Sequence, residues 1–184
     1  MKYFHYYLCR GLAAEWRLPY NSRVNIEAMF LLGTFRVSVF GCYQTLEAAK
    51  NCIGYADITR QGYPFYGGNL TYRIPFLSHG GEVTVQASMY RSPLLSLKVD
   101  GKSAGYIFIS PYQVNIGKLN PGKHMLEFTV YGNRINTFGC LHNCNQKEEW
   151  IGPNAWRTTG VQWSYEYQIK PMGLLKAPVL REII

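Results

Sequence analysis

The sequence predicts an all-β domain with an irregular extension at its N-terminal end. Three observations predict it. Apolar and polar residues alternate over short runs, the period of a half-buried strand. Eighteen glycines and nine prolines punctuate those runs, as short strands joined by tight turns require. And residues 94–136, the most strongly patterned stretch, carry no helical period.

The first element lies within residues 24–40. After a kink at Gly33, Phe35, Val37 and Val39 share one face, with Thr34, Arg36 and Ser38 on the other. That is a strand, and Gly41 ends it. Gln44 to Lys50 reads as one helical turn, with Thr45 as cap and Ala48 and Ala49 as helix formers. It is short for a helix. Gly54 to Gly68 reads as a loop. A strand follows the double glycine, with Leu70, Tyr72 and Ile74 alternating against Thr71 and Arg73. In Glu82 to Met89, Val83, Val85 and Ala87 face one way.

From Leu94 to Asn136 the pattern predicts four antiparallel strands. Leu95, Leu97 and Val99 alternate with Ser96 and Lys98. Asp100-Gly101 is a hairpin signal, because both turn positions need positive φ. Tyr106 to Ile109 resumes the sheet, and Ser110-Pro111 breaks it, since proline cannot donate to a ladder. Tyr112, Val114 and Ile116 alternate again. Asn120-Pro121-Gly122 turns the chain into a hairpin, and Met125 to Val130 is the last strand of the group.

Residues 137–160 read as one long excursion between strands. Loops of this length inside a compact domain are usually functional or disordered. Trp150 and Trp156 argue against disorder, because an indole can bury a large apolar area. Trp163, Tyr165 and Tyr167 alternate with Ser164 and Glu166 and predict a closing strand. Pro171 ends it, and Leu174 to Ile184 packs along an edge as a tail.

Two stretches carry a family resemblance. Asp100-Gly101, Pro111-Tyr112, Leu119-Asn120-Pro121-Gly122 and Leu126 resemble the C-terminal jelly-roll of galactose-binding-like domains. Such domains accompany many glycoside hydrolases, β-galactosidase-like and rhamnosidase-like enzymes among them. Asp57, Gln61, Gly62, Pro64, Phe65, Tyr66, Gly67, Gly68 and Tyr72 resemble the lead-in to the same region in a group of predicted glycoside hydrolases. The resemblance runs from about Phe30 onward. It implies a galactose-binding-like topology over residues 54–184, with residues 1–53 as an extension or the remnant of a neighbouring domain. It also implies an accessory, non-catalytic domain that braces a catalytic domain or contacts glycan. The partners expected are therefore carbohydrate and an adjacent catalytic domain, with no cofactor. Related jelly-rolls often hold calcium, but only two aspartates are present and no acidic cluster is visible.

Composition bounds the rest. The 184 residues suit one domain able to bury a core. The net charge of +8 is spread along the chain without a basic run. It gives weak attraction to polyanions, and nucleic acid is not an expected partner. No signal peptide and no run of membrane-spanning length is visible, so a membrane is not expected either. Five cysteines, an odd number, fit a reducing compartment better than a disulfide scaffold.

Sugar sites pair aromatic rings with side chains that hold hydroxyl groups. Trp150, Asn154, Trp156 and Arg157 have that chemistry on one loop, and Arg60, Gln61, Tyr63 and Tyr66 on another. The competing reading makes both tryptophans buried plugs. Exposure of the rings separates the two. Cys140, His142 and Cys144 offer a weaker zinc alternative, with no fourth ligand beside them and a spacing unlike a finger. Glycoside hydrolysis needs two facing carboxylates. None of the eleven acids stands in a context that argues for such a pair, so the isolated chain is not expected to be an enzyme.

Overall fold

The structure, a computed structural model, describes residues 33–50, 52–145, 147 and 151–184. The strands are β1 Phe35–Phe40, β2 Tyr43–Ala48, β3 Leu70–Ser78, β4 Glu82–Gln86, β5 Tyr90–Arg91, β6 Leu95–Val99, β7 Lys102–Ile107, β8 Gln113–Lys118, β9 Gly122–Val130, β10 Gly173–Leu174 and β11 Val179–Ile183. One short helix, α1 Ile135–Phe138, and 3₁₀ turns at Ile58–Gln61 and Pro153–Trp156 complete the described elements.

Two antiparallel sheets form a β-sandwich. One has the strand order β3-β9-β6-β7 and the other β11-β4-β8. The chain passes from one sheet to the other after β3, between β4 and β6, after β7, after β8 and between β9 and β11. Alternation explains which residues meet between the sheets. Leu95, Leu97, Val99, Leu126, Phe128 and Val130 from one sheet pack with Val83 and Val85 from the other. Phe128, Leu95 and Leu97 are fully buried; each contributes about 2–3 kcal/mol of transfer free energy. On the outward face the register puts Glu127 between Arg73 and Lys98. Arg73 Nε donates to its carboxylate at 3.0 Å.

The Asp100-Gly101 turn forms as expected, with φ of 49° and 81°, and joins β6 to β7. The tail from Leu174 runs along an edge, as β11 pairing with β4. Its anchor is Glu182. That carboxylate accepts from Ser78 Oγ at 2.7 Å and from the Gly81 and His79 amides, each at 2.9 Å. These bonds, Ser78 first, hold its pKa down at about 2.

Three expectations need correction. Residues 44–48 belong to β2, not to a helical turn, because pairing with β1 satisfies their backbone and outweighs local propensity. Gly41, at φ 61°, makes the tight connection. Leu119-Asn120-Pro121-Gly122 is no hairpin: β8 pairs with β4, while β9 pairs with β3 and β6. The turn carries the chain from one sheet to the other, so that both strands bury a face against the same core. Residues 163–167 form no strand beyond one bridge, Asn143 to Trp163. There the Ser164 hydroxyl accepts from the Glu166 amide, a local turn that competes with a ladder. His124, beyond the turn at 119–122, is held by Asp100 at 2.6 Å and the Asn120 carbonyl at 2.9 Å.

A second, smaller core lies beside the sandwich. Val37 of β1 packs there with Ile58, Tyr63 and Met172. Residues on both sides of position 53 contribute to it.

Candidate functional site

The excursion that follows β9 is pinned at its two ends. Asn136, 1% exposed, donates from Nδ2 to the Lys170 carbonyl at 2.7 Å and accepts from the Lys170 amide at 3.0 Å. One side chain thus joins chain segments 34 residues apart. Thr137 Oγ1 ties the same helix to the Phe65 carbonyl at 2.9 Å. Further out, backbone bonds zip the two arms together: Ser164 N to His142 O at 2.9 Å, Cys144 N to Gln162 O at 3.0 Å and Gln168 N to Leu141 O at 2.6 Å. His142 lies against Tyr167, ring centroids 4.7 Å apart, and Trp163 against Tyr165 at 4.3 Å. This anchoring gives the described part of a long glycine- and asparagine-rich segment its shape.

Trp156 sits at the end of the 3₁₀ turn Pro153–Trp156. Its neighbour Ala155 is buried, while the indole itself is 50% exposed. The ring is held without being covered: Nε1 donates to the Phe138 carbonyl at 3.3 Å. Phe138, at the end of α1, is also exposed. The Arg134 guanidinium lies 5.7 Å from the centre of the Phe138 ring. Arg157 Nη1 donates to Gln162 Oε1 at 2.6 Å. Two exposed aromatic residues, Trp156 and Phe138, are thus linked through the Phe138 carbonyl, with arginines near each in sequence, Arg157 and Arg134.

The other expected positions divide. Trp150 lies outside the described residues, as does the side chain of Asn154. Tyr63 is 3% exposed and belongs to the second core. Tyr66 donates to the Asn69 carbonyl at 2.9 Å. Burial pushes both phenols upward in pKa. The Gln61 amide is folded back on its own loop, accepting from Gly54 N at 2.9 Å and donating to Gly54 O at 3.2 Å. Asp57 works beside it as a cap, accepting at Oδ1 from Thr59 N at 3.0 Å and from Met172 N at 3.1 Å. The motif around residues 57–68 is therefore a brace. Arg60 alone of the second cluster points to solvent, its side chain 89% exposed.

Arg60 lines an open cleft of about 490 Å³ along β1, with Ser38, Thr59 and Glu166 among its other walls. Two carboxylates, Asp57 and Glu166, stand among its walls. Asp57 is engaged as a cap, Glu47 by Ser38 and Arg36, Glu82 by Asn115, Asp100 by His124, Glu127 by Arg73 and Glu182 by the β3–β4 turn. Among the described residues only Glu166 carries a carboxylate with no such partner. Cys140, His142 and Cys144 do not gather either: no cluster of three metal-ligating side chains occurs among the described residues. His142 Nδ1 faces the Ser164 carbonyl at 2.9 Å instead. No helix among the described residues is long and apolar enough to cross a membrane.

Three residues of this surface carried no sequence signal. Arg134, Asn136 and Phe138 lie in a run without alternation, and their roles follow from how the excursion folds back.

No family model matches the chain, and no curated protein does. Among solved structures it is similar to a rhamnosidase from Novosphingobium sp. PP1Y, with 19% identity, a TM-score of 0.44, and coverage of 79% of this chain but 14% of that one. It is also similar to a GH2 beta-galacturonidase from Eisenbergiella tayi, solved with glycerol and with galacturonate. There the identities are 22% and 21%, the TM-score is 0.44, and coverage is 81% of this chain and 23% of the other. The chain thus spans less than a quarter of the glycoside hydrolase chains it matches.

Proposed function

We propose that this chain is an accessory, non-catalytic domain of a glycoside hydrolase that contacts glycan through the Trp156 and Phe138 surface. The observation that carries the reading is the exposure of the Trp156 ring. A plug would bury its indole; this one is half open, and its N–H is already satisfied by the Phe138 carbonyl. An aromatic face fixed by one hydrogen bond and left to solvent suits the apolar face of a pyranose ring, because little conformational entropy is lost on binding. Arg157 stands beside it as a candidate for hydroxyl groups, and Trp150 and Asn154 belong to the same loop in sequence.

In this reading the second sequence cluster has a different role. Gln61, Tyr63 and Tyr66 brace the lead-in to the sandwich, and Arg60 belongs to the separate cleft. Residues 54–184 are the accessory domain, and residues 1–53 lead toward a neighbouring one. The catalytic acid and nucleophile belong to that neighbour. The sequence resemblance supports the company, and the lack of a sequence context that argues for a facing carboxylate pair supports the non-catalytic reading.

A glycan-array screen of the purified chain tests the proposal, with Trp156→Ala alongside. Binding by the parent and its loss in a variant with an unchanged circular dichroism spectrum is the expected result. Undiminished binding in a folded Trp156→Ala variant, or no binding by the parent to any glycan, overturns it.

A further inference from the structure

We propose that the Trp156 surface selects acidic glycans, and that Arg134 is the residue that reads the carboxylate. The inference rests on the reading of that surface as a glycan platform and adds its ligand class.

Arg134 is exposed, and its guanidinium stacks over the Phe138 ring at 5.7 Å. Phe138 in turn supplies the carbonyl that holds the Trp156 indole. One short segment therefore carries a cation over one aromatic ring and the carbonyl that holds a second. Stacking orients the planar guanidinium but leaves its charge uncompensated. Three other arginines of the fold are treated differently, whereas Arg91 and Arg181 also lack an ion pair among the described residues. Arg36, Arg60 and Arg73 each have a carboxylate within ion-pair distance, at Glu47, Asp57 and Glu127. Arg134 has none among the described residues.

A guanidinium stacked on an aromatic ring and without a carboxylate partner among the described residues is complementary to one class of sugar. The apolar face of the ring stacks on the indole, while a carboxylate at the ring edge receives the fork of N–H donors, a geometry that favours bidentate pairing. A uronic acid carries both features in one residue. A neutral hexose offers only the stack and its hydroxyl groups. The excess of 19 basic over 11 acidic residues adds a weak general attraction in the same direction.

The test is titration of the chain with an oligogalacturonide and an oligoglucuronide, each against its carboxyl-reduced neutral form, for the parent, Arg134→Gln and Arg134→Lys. The Arg134 side chain makes no capping bond to α1, so both variants retain the local backbone. The acidic forms are expected to bind roughly two- to fivefold tighter than the neutral ones, the range of a solvent-exposed ion pair. The preference should weaken as salt is raised, vanish in Arg134→Gln with neutral binding kept, and survive in part in Arg134→Lys. Equal binding of acidic and neutral forms overturns the selectivity and leaves the platform standing. A preference undiminished in Arg134→Gln overturns the assignment of Arg134. Absence of binding to all four probes by the folded parent overturns this inference together with the reading beneath it.

Discussion

Replacing Asn136 with alanine should loosen the whole excursion that carries Trp156. The side chain makes two hydrogen bonds with one backbone unit, Nδ2 to Lys170 O at 2.7 Å and Lys170 N to Oδ1 at 3.0 Å. Each contributes about 1 kcal/mol net, and alanine also leaves both Lys170 groups without their partner, so the loss is about 2–4 kcal/mol. In a domain of this size that lowers the thermal midpoint by roughly 4–16 °C. Asn136→Asp should do at least as badly, because a carboxylate retains the acceptor but faces the Lys170 carbonyl with no donor. Thermal unfolding gives the stability change. Hydrogen exchange by mass spectrometry locates it, with lost protection expected across residues 137–169 before the sandwich strands. If both variants unfold within about 0.5 kcal/mol of the parent and exchange like it, Asn136 does not pin the excursion.

Three further outcomes are expected. Both ring nitrogens of His124 face acceptors, so only the imidazolium satisfies Asp100 and the Asn120 carbonyl together, and its pKa is raised, chiefly by the Asp100 hydrogen bond. Stability from His124 is then full below the ordinary histidine value and lost as pH rises through the raised folded value; the gap in thermal midpoint between the parent and His124→Gln should be wider at about pH 5.5 than at about pH 8.5, and a gap independent of pH would refute this. Glu182, held at about 2, contributes stability above the ordinary carboxylate range that fades as pH falls toward that value. Exchange protection of β11 should therefore drop on acidification in the parent, while Glu182→Gln starts low and changes little; parallel behaviour of the two would contradict the anchor. Gly132→Ala should fail to fold or lose about 3 kcal/mol or more, because a Cβ there would strike the backbone carbonyl oxygens of Gly67 and Gly68. A soluble variant of parental thermal midpoint would mean that this contact gives way freely.

Alternation made the sandwich legible. Val83 and Val85, Leu95, Leu97 and Val99, and Tyr72 face the core where their period places them, because one face of each strand is covered and the other is not. Turn chemistry was legible where it is local, as at Asp100-Gly101. It misled where partner choice is tertiary. Nothing in Leu119 to Gly122 tells a hairpin from a crossing between sheets, since both need the same sharp bend. The alanine-rich stretch after Gln44 has helical propensity, and only the neighbouring β1 makes it a strand. The aromatic residues of the lead-in drew attention as ligands, yet Tyr63 is core and Gln61 a brace. Composition does not distinguish a ring turned inward from one turned outward. Trp156 was visible as a candidate, but the partners that hold it, Phe138 and through Asn136 the distant Lys170, arise from chain reversal that no local pattern records.

The most direct test is a titration followed by the indole N–H signal of Trp156 in a ¹H–¹⁵N correlation spectrum, assigned by its disappearance in Trp156→Phe. On addition of a glycan that the array identifies, that signal and the amides of Arg134 to Phe138 should shift together and saturate at one affinity. Shifts confined to Thr59, Arg60 and Glu166 would place the ligand in the cleft along β1 and contradict the platform.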